Sequence, residues 1–161
     1  MRRTLATLLL LMMATACSGP AHQTILDQTV PLENRIWQRF DTKTFNFDIA
    51  DNESGYSLTV TADFDTAAFT LSALPIIINI YDPAGNRRMF TSELPLRDQR
   101  GTLTGEMQAG LLHTTTTLRS YMFFSNGGAQ RIELKQGTSK YEIHGIANVG
   151  LTIRKVKPIK W

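Results

Sequence analysis

The sequence around Cys17 defines its chemistry more sharply than that of any other residue. It is the single cysteine of the chain and closes Ala14-Thr15-Ala16-Cys17, behind Arg2, Arg3 and the apolar run Leu5 to Ala14. That run is too short for a bilayer, which takes roughly 20 apolar residues. Its basic flank and small-residue ending match a secretory signal peptide. Small residues followed directly by cysteine make a bacterial lipobox, with Ala14 where leucine is more usual. A thiolate is nucleophilic enough to take a diacylglycerol group as a thioether, and cleavage before Cys17 exposes an amine for a further acyl chain such as palmitate. We therefore expect residues 1–16 to be a lipoprotein signal peptide for general secretion, and Cys17 to hold the chain to a membrane through lipid. A thiol spent in this way forms no disulfide, so the folded part must rely on its apolar core.

No other group is placed for chemistry. His22, His113 and His144 are far apart, and no pair has metal-ligand spacing. Asp48, Asp51 and Glu53 lack the regular alternation and glycine of a calcium loop, and are expected to solvate a strand end and its turn. Asp63 and Asp65 flank Phe64 and share a strand face; glycosidase carboxylates meet in space and not along the chain, but a solvated face accounts for these two. There is no G-x-S-x-G elbow. We assign no catalytic residue, no metal ligand and no cofactor, and expect no enzyme. Trp37 is a candidate for stacking on a sugar ring, with a place in the core as the more ordinary reading.

Charge narrows the partners. Seventeen basic residues stand against 14 acidic ones, and loss of Arg2 and Arg3 with the signal leaves the mature chain almost neutral. Nucleic acid is therefore excluded as a partner, since it would need a dense basic face. Only the stretch from Arg154 to Trp161 is locally basic. It could meet anionic headgroups, but its lysines and Pro158 are expected to guard a terminal strand against edge pairing.

The elements that must position these residues are strands. Residues 17–33 are polar and without period, and read as the lipidated N-terminus and a flexible tether. Residues 34–157 change to short alternating runs between turn residues, the mark of an all-β domain. Residues 158–161 form a short basic tail. Phe45, Phe47 and Ile49 share one face of the first strand. Tyr56, Leu58, Val60, Ala62 and Phe64 share one face of the next. Pro75 to Tyr81 is aliphatic enough for a central strand. It is followed by an Asp82-Pro83-Ala84-Gly85-Asn86 turn and a return strand from Arg87 to Leu96. Further strands are expected at 102–107, 115–124, 130–135 and 148–156, with Val149, Leu151 and Ile153 inward. About eight strands without an amphipathic helix predict an antiparallel, jelly-roll-like β-sandwich, with an immunoglobulin-like sandwich as the alternative.

The stretch Gly145-Ile146-Ala147-Asn148-Val149-Gly150-Leu151-Thr152-Ile153-Arg154-Lys155 resembles the closing strand of the GldH lipoproteins of the gliding-motility group. That family reads Leu-x-Gly-Ile-x-x-Val-Gly-Leu-x-Ile there. The order of lipobox, polar tether, Trp37, long alternating strand, aliphatic strand and Asp82-Pro83-Ala84-Gly85 is also similar, and Gly101 and Gly105 match a Gly-x-x-x-Gly element. Leu103 stands where the family has an aromatic, and Ser72-Ala73-Leu74-Pro75 replaces its proline-aromatic approach to the aliphatic strand. The resemblance implies a non-catalytic envelope lipoprotein associated with the gliding or secretion apparatus of Bacteroidetes, with envelope proteins as partners. A module that binds envelope polysaccharide is the alternative. Ser18-Gly19-Pro20-Ala21-His22 lacks the acidic cluster that resembles a surface-export signal, so an outer-membrane anchor with the domain facing the periplasm is expected.

Overall fold

The computed structural model describes residues 23–157. The signal peptide, Cys17, His22 and the tail at 158–161 lie outside the described residues. Eleven strands follow in order: β1 (Gln23–Pro31), β2 (Ile36–Gln38), β3 (Lys43–Ile49), β4 (Gly55–Phe64), β5 (Ala73–Tyr81), β6 (Arg87–Pro95), β7 (Glu106–Gln108), β8 (Leu111–Met122), β9 (Gly128–Gln136), β10 (Glu142–His144) and β11 (Ile146–Val156).

The alternating runs become strands because each can bury one face. In β4, Tyr56, Leu58, Val60, Ala62 and Phe64 are all buried, at about 1.5–3 kcal/mol for each large apolar side chain. They meet Phe45, Phe47 and Ile49 of β3 and Leu74, Ile76, Ile78 and Ile80 of β5 in one core. Phe124 fills the centre of one end, edge to face with Phe47 and Tyr56 at centroid distances of 5.5 and 5.4 Å.

Two antiparallel sheets enclose that core, in the orders β1-β11-β4-β8-β7 and β3-β9-β5-β6, and β2 and β10 form a small third pair. With the three short strands β2, β7 and β10 set aside, the eight long ones run first-eighth-third-sixth in one sheet and second-seventh-fourth-fifth in the other. This is the jelly-roll arrangement of two Greek keys. Gln23, Ile49, Gly55, Tyr81, Arg87, Met122, Gly128 and Val156 lie at one end of the sandwich, called here the base. Pro31, Lys43, Phe64, Ala73, Pro95, Leu111, Gln136 and Ile146 lie at the apex.

Two sequence expectations are corrected. The tether does not extend to residue 33: Gln23–Pro31 is an outer strand paired with β11 from Gln23–Lys155 to Pro31–Asn148. Its period was hidden because an edge strand with one solvated face needs little apolar content; only Ile25, Leu26 and Val30 are partly buried against the core. The strand expected at 102–107 is reduced to Glu106–Gln108 and a single bridge between Arg97 and Leu103. Pro75, in contrast, sits inside a central strand without cost. Its carbonyl accepts from Gly137 N–H at 2.8 Å just where the β9 ladder ends, so the N–H that proline lacks falls at the margin of the ladder and not within it.

Candidate functional site

Gly150 lies mid-strand in β11, flanked by Thr29 of β1 and Thr61 of β4, and Thr61 faces Thr115 of β8. A Cβ at Gly150 would stand 2.3 Å from Thr61 Oγ1 and 2.8 Å from Thr29 Oγ1, so glycine makes room for hydroxyls that lean in from both sides. The neighbouring row aligns Asp27, Thr152, Thr59 and Thr117. Thr152 donates to Asp27 at 3.0 Å, and the Thr59 and Thr117 hydroxyls are 3.3 Å apart. The outer face of the five-stranded sheet is thus a flat hydroxyl surface, a direct result of the polar residues that alternate with the core residues of β4.

At its apical margin Asp63 is paired after all. Its carboxylate accepts from Asn148 Nδ2 at 2.8 Å and lies 2.7 Å from His113 Nδ1, while His113 Nε2 is 3.4 Å from Thr115 Oγ1. Carboxylate, imidazole and hydroxyl stand in the order of a hydrolytic triad. Yet the hydroxyl contact is longer than a nucleophile and base need, and all three lie on an open sheet. The geometry favours a ladder that ties β11, β4 and β8 together. Asp65, expected beside it as a like charge, belongs to another structure. It accepts from Arg35 at 2.8 Å and from Ala67 N–H at 3.1 Å, shaping the turn that leaves β4.

Of the other acidic residues singled out, Asp51 and Glu53 form the turn after β3, as expected, Asp82 forms the turn after β5, and Asp48 lies within β3. Asp51 accepts from the Lys155 ammonium at 2.8 Å, from the Ser54 hydroxyl and from Glu53 N–H at 2.9 Å. These contacts, led by Lys155, hold its carboxyl far below the usual carboxylate range and raise Lys155 in return. Tyr56, whose hydroxyl donates to the Asp51 carbonyl, is pushed up by burial and by the Asp51 charge. Asp82 is held low mainly by the Asn86 side chain, with Asn86 N–H and the Asn126 side chain adding to it. Among the described residues no three His, Cys, Asp or Glu side chains converge as metal ligands.

Trp37 is fully buried and gives its indole N–H to the Asp41 carbonyl at 2.8 Å, so it presents no ring to a sugar. The sequence reading missed a concavity of about 620 Å³ on the outer face of the four-stranded sheet, near the base. Asn46 and Asp48 of β3, Arg131 of β9 and Tyr81 of β5 line it, closed by the Asp82–Gly85 turn. The Arg131 guanidinium stacks on Tyr81 at 4.3 Å, and the Tyr81 hydroxyl donates to Glu133 at 3.3 Å. Two-residue alternation was the available signal: Tyr81 and Arg131 are out of phase with Ile80 and Ile132 and directly opposed.

An exposed aromatic pair marks the apex. Phe40 is 79% and Tyr141 64% exposed, edge to face at a centroid distance of 6.3 Å. They come from the connections after β2 and before β10, and the chain joins them through the Arg39 N–H bond to the Tyr141 carbonyl at 2.7 Å.

A family model described as GldH lipoprotein matches residues 24–153, which is the sandwich almost from end to end. No curated protein matches the chain significantly. Among solved structures the chain is similar to the VP2 subviral particle of infectious bursal disease virus. The identity is 16%, with 84% of this chain and 33% of the viral chain covered, at a TM-score of 0.43. The chain thus spans about a third of that viral protein.

Proposed function

Because this chain belongs to the GldH lipoprotein family, we propose that it is an envelope lipoprotein that contributes contacts, and no catalysis, to gliding-motility or related envelope machinery. The family match over residues 24–153 carries this reading. The lipobox six residues ahead of β1 supports lipid on Cys17 as the anchor. In the mechanism proposed, lipid confines the sandwich to a membrane surface, which raises its effective concentration for partners on the same surface. The exposed Phe40–Tyr141 pair at the apex then supplies a contact. Exposed aromatics of this kind dominate binding energy where partners exclude water from them. The absence of acidic residues just after Cys17 supports an outer-membrane anchor with the domain facing the periplasm.

Crosslinking in intact cells tests this. The wild-type chain should recover specific envelope proteins, and Phe40→Ala with Tyr141→Ala should lose them while the protein remains folded and lipidated. Recovery of polysaccharide alone would overturn the reading. Protease shaving of intact cells should spare the domain, and its digestion would refute the periplasmic orientation.

One observation favours a second reading, glycan binding: the concavity lined by Asn46, Asp48, Tyr81 and Arg131 offers amide, carboxylate, guanidinium and aromatic groups together. Sugar binding that is lost in Arg131→Ala would establish it. Failure to bind across a glycan panel would remove it.

A further inference from the structure

The basal corner of the five-stranded sheet combines aromatic and cationic side chains. Tyr121 and Phe123 alternate with the buried Met122 and Phe124, so both rings fall on the outer face of β8 and its extension. They pack edge to face at a centroid distance of 5.2 Å. Phe123 is 49% exposed. Tyr121 lies flat over Gly55, where a Cβ would stand only 2.1 Å from its ring, so the strand is pared to backbone beneath it.

Arg88, Arg119, Arg154 and Lys157 lie around these rings. Arg88 donates to the Phe123 carbonyl at 3.1 Å. Arg119 crosses the β8 edge and stacks on Phe90 at 4.2 Å. Arg154 is opposite Ser57 on the outer face of β11, and Lys157 follows that strand. None of the four is in an ion pair among the described residues. At the same end Lys155 is spent on Asp51. The other carboxylates at that end are Glu53 and Asp82 of the β3–β4 and β5–β6 turns, Asp82 being engaged by Asn86 and Asn126, and Asp48, which lines the concavity on the opposite sheet.

We propose that this corner, Tyr121 and Phe123 with Arg88, Arg119, Arg154 and Lys157, rests on an anionic phospholipid surface and sets the orientation of the sandwich. The inference rests on the reading of Cys17 as the lipid anchor. Five residues separate Cys17 from Gln23, a span of at most about 20–22 Å when fully extended, and Gln23 starts β1 at the base beside Lys155. A domain tied so closely by its base meets the membrane base first. Aromatic side chains sit at the level of the headgroups, where one part of the ring is dry and its margin wet. Unpaired cations beside them are drawn to anionic lipid. The Phe40–Tyr141 pair is then held away from the bilayer at the apex.

The lipidated protein can be tested in vesicles of phosphatidylglycerol and phosphatidylethanolamine in equal amounts. Cys17 carries the lipid, so Phe123→Cys or Tyr141→Cys supplies the sole thiol for an environment-sensitive dye. Mass spectrometry first establishes the lipid on Cys17; a chain without it overturns the anchor reading and this inference together. With the lipid present, dye at position 123 should shift to the blue and be quenched by brominated acyl chains, and dye at position 141 should do neither. Each of Arg119→Gln and Arg154→Gln should lower the lipid-contacting population roughly fivefold, equivalent to about 1 kcal/mol per charge. Replacement of phosphatidylglycerol by phosphatidylcholine should abolish the contact. Equal signals at the two positions, or none at 123, on a lipidated chain would overturn the oriented contact and leave the anchor standing.

Discussion

Gly145→Ala should cost several times more stability than Gly85→Ala, although the two glycines share nearly the same positive φ. Gly145 has φ +85 and Gly85 φ +84, a region that costs an L-residue about 1–2 kcal/mol. At Gly85 a Cβ meets nothing within 4 Å, so only that strain applies. At Gly145 it would lie 2.5 Å from Phe69 N and 2.9 Å from the Ala68 carbonyl carbon. These are backbone atoms, which cannot swing aside as a side chain does. Relief requires the turn after β4 to move. That movement strains two hydrogen bonds of 2.8 Å, from Gly145 N–H to the Arg35 carbonyl and from Asp65 N–H to the Gly145 carbonyl. Overpacking costs about 1–3 kcal/mol and each bond about 1 kcal/mol net. We therefore expect a loss of at least about 4 kcal/mol for Gly145→Ala against about 1–2 kcal/mol for Gly85→Ala. Urea unfolding followed by the fluorescence of buried Trp37 reads this difference. With a slope of about 2 kcal/mol per molar urea, the midpoint should fall by at least about 2 M in the first variant and about 0.5–1 M in the second. Equal falls would refute the argument from backbone contact.

Stability should depend on pH at both extremes through one cluster. Asp51 is lowered in the fold, so its contribution is complete above the unfolded carboxylate value near 4 and is lost as the pH falls below it. Lys155 and Tyr56 are raised, so theirs is complete below about pH 10 and is lost as the pH rises further. Asp51→Asn should flatten the acid limb of a plot of Tm against pH, and an unchanged limb would contradict the pairing. Phe124→Ala should cost about 3–5 kcal/mol, as usual for a buried phenylalanine, in calorimetry or urea unfolding. Asp63→Asn should cost about 1 kcal/mol or less, because its partners lie near solvent; a much larger loss would show that the Asp63–His113 ladder holds the sheet more tightly than its exposure implies.

Most of the fold was legible because core strands must alternate. Tyr56 to Phe64 and Phe45 to Ile49 announce a buried face, and Asp82 to Asn86 announces a hairpin turn that the structure contains. β1 was not legible, since Gln23 to Pro31 borrows its order from β11 and shows little alternation of its own. The short strands β2 and β10 were also missed: three residues hold no period, and their pairing is between Ile36–Gln38 and Glu142–His144, remote in sequence. The site residues were harder still. Asp63, His113 and Asn148 come from three strands, and only register brings them together. The Phe40–Tyr141 pair depends on two connections meeting at the apex, which no local pattern encodes.

The direction of β1 has a mechanical consequence. Gln23 stands at the base and Pro31 at the apex, and β1 pairs with β11 over that length with one bulge between Thr24 and Leu26. A load carried from an anchor below Gln23 to a partner at the apex would act along the strand axis. The β1–β11 ladder would then be loaded in shear, its hydrogen bonds resisting together, and would not be unzipped one pair at a time. Under such a load, an edge strand attached in this sense would act as a strap, drawn tight and not peeled away.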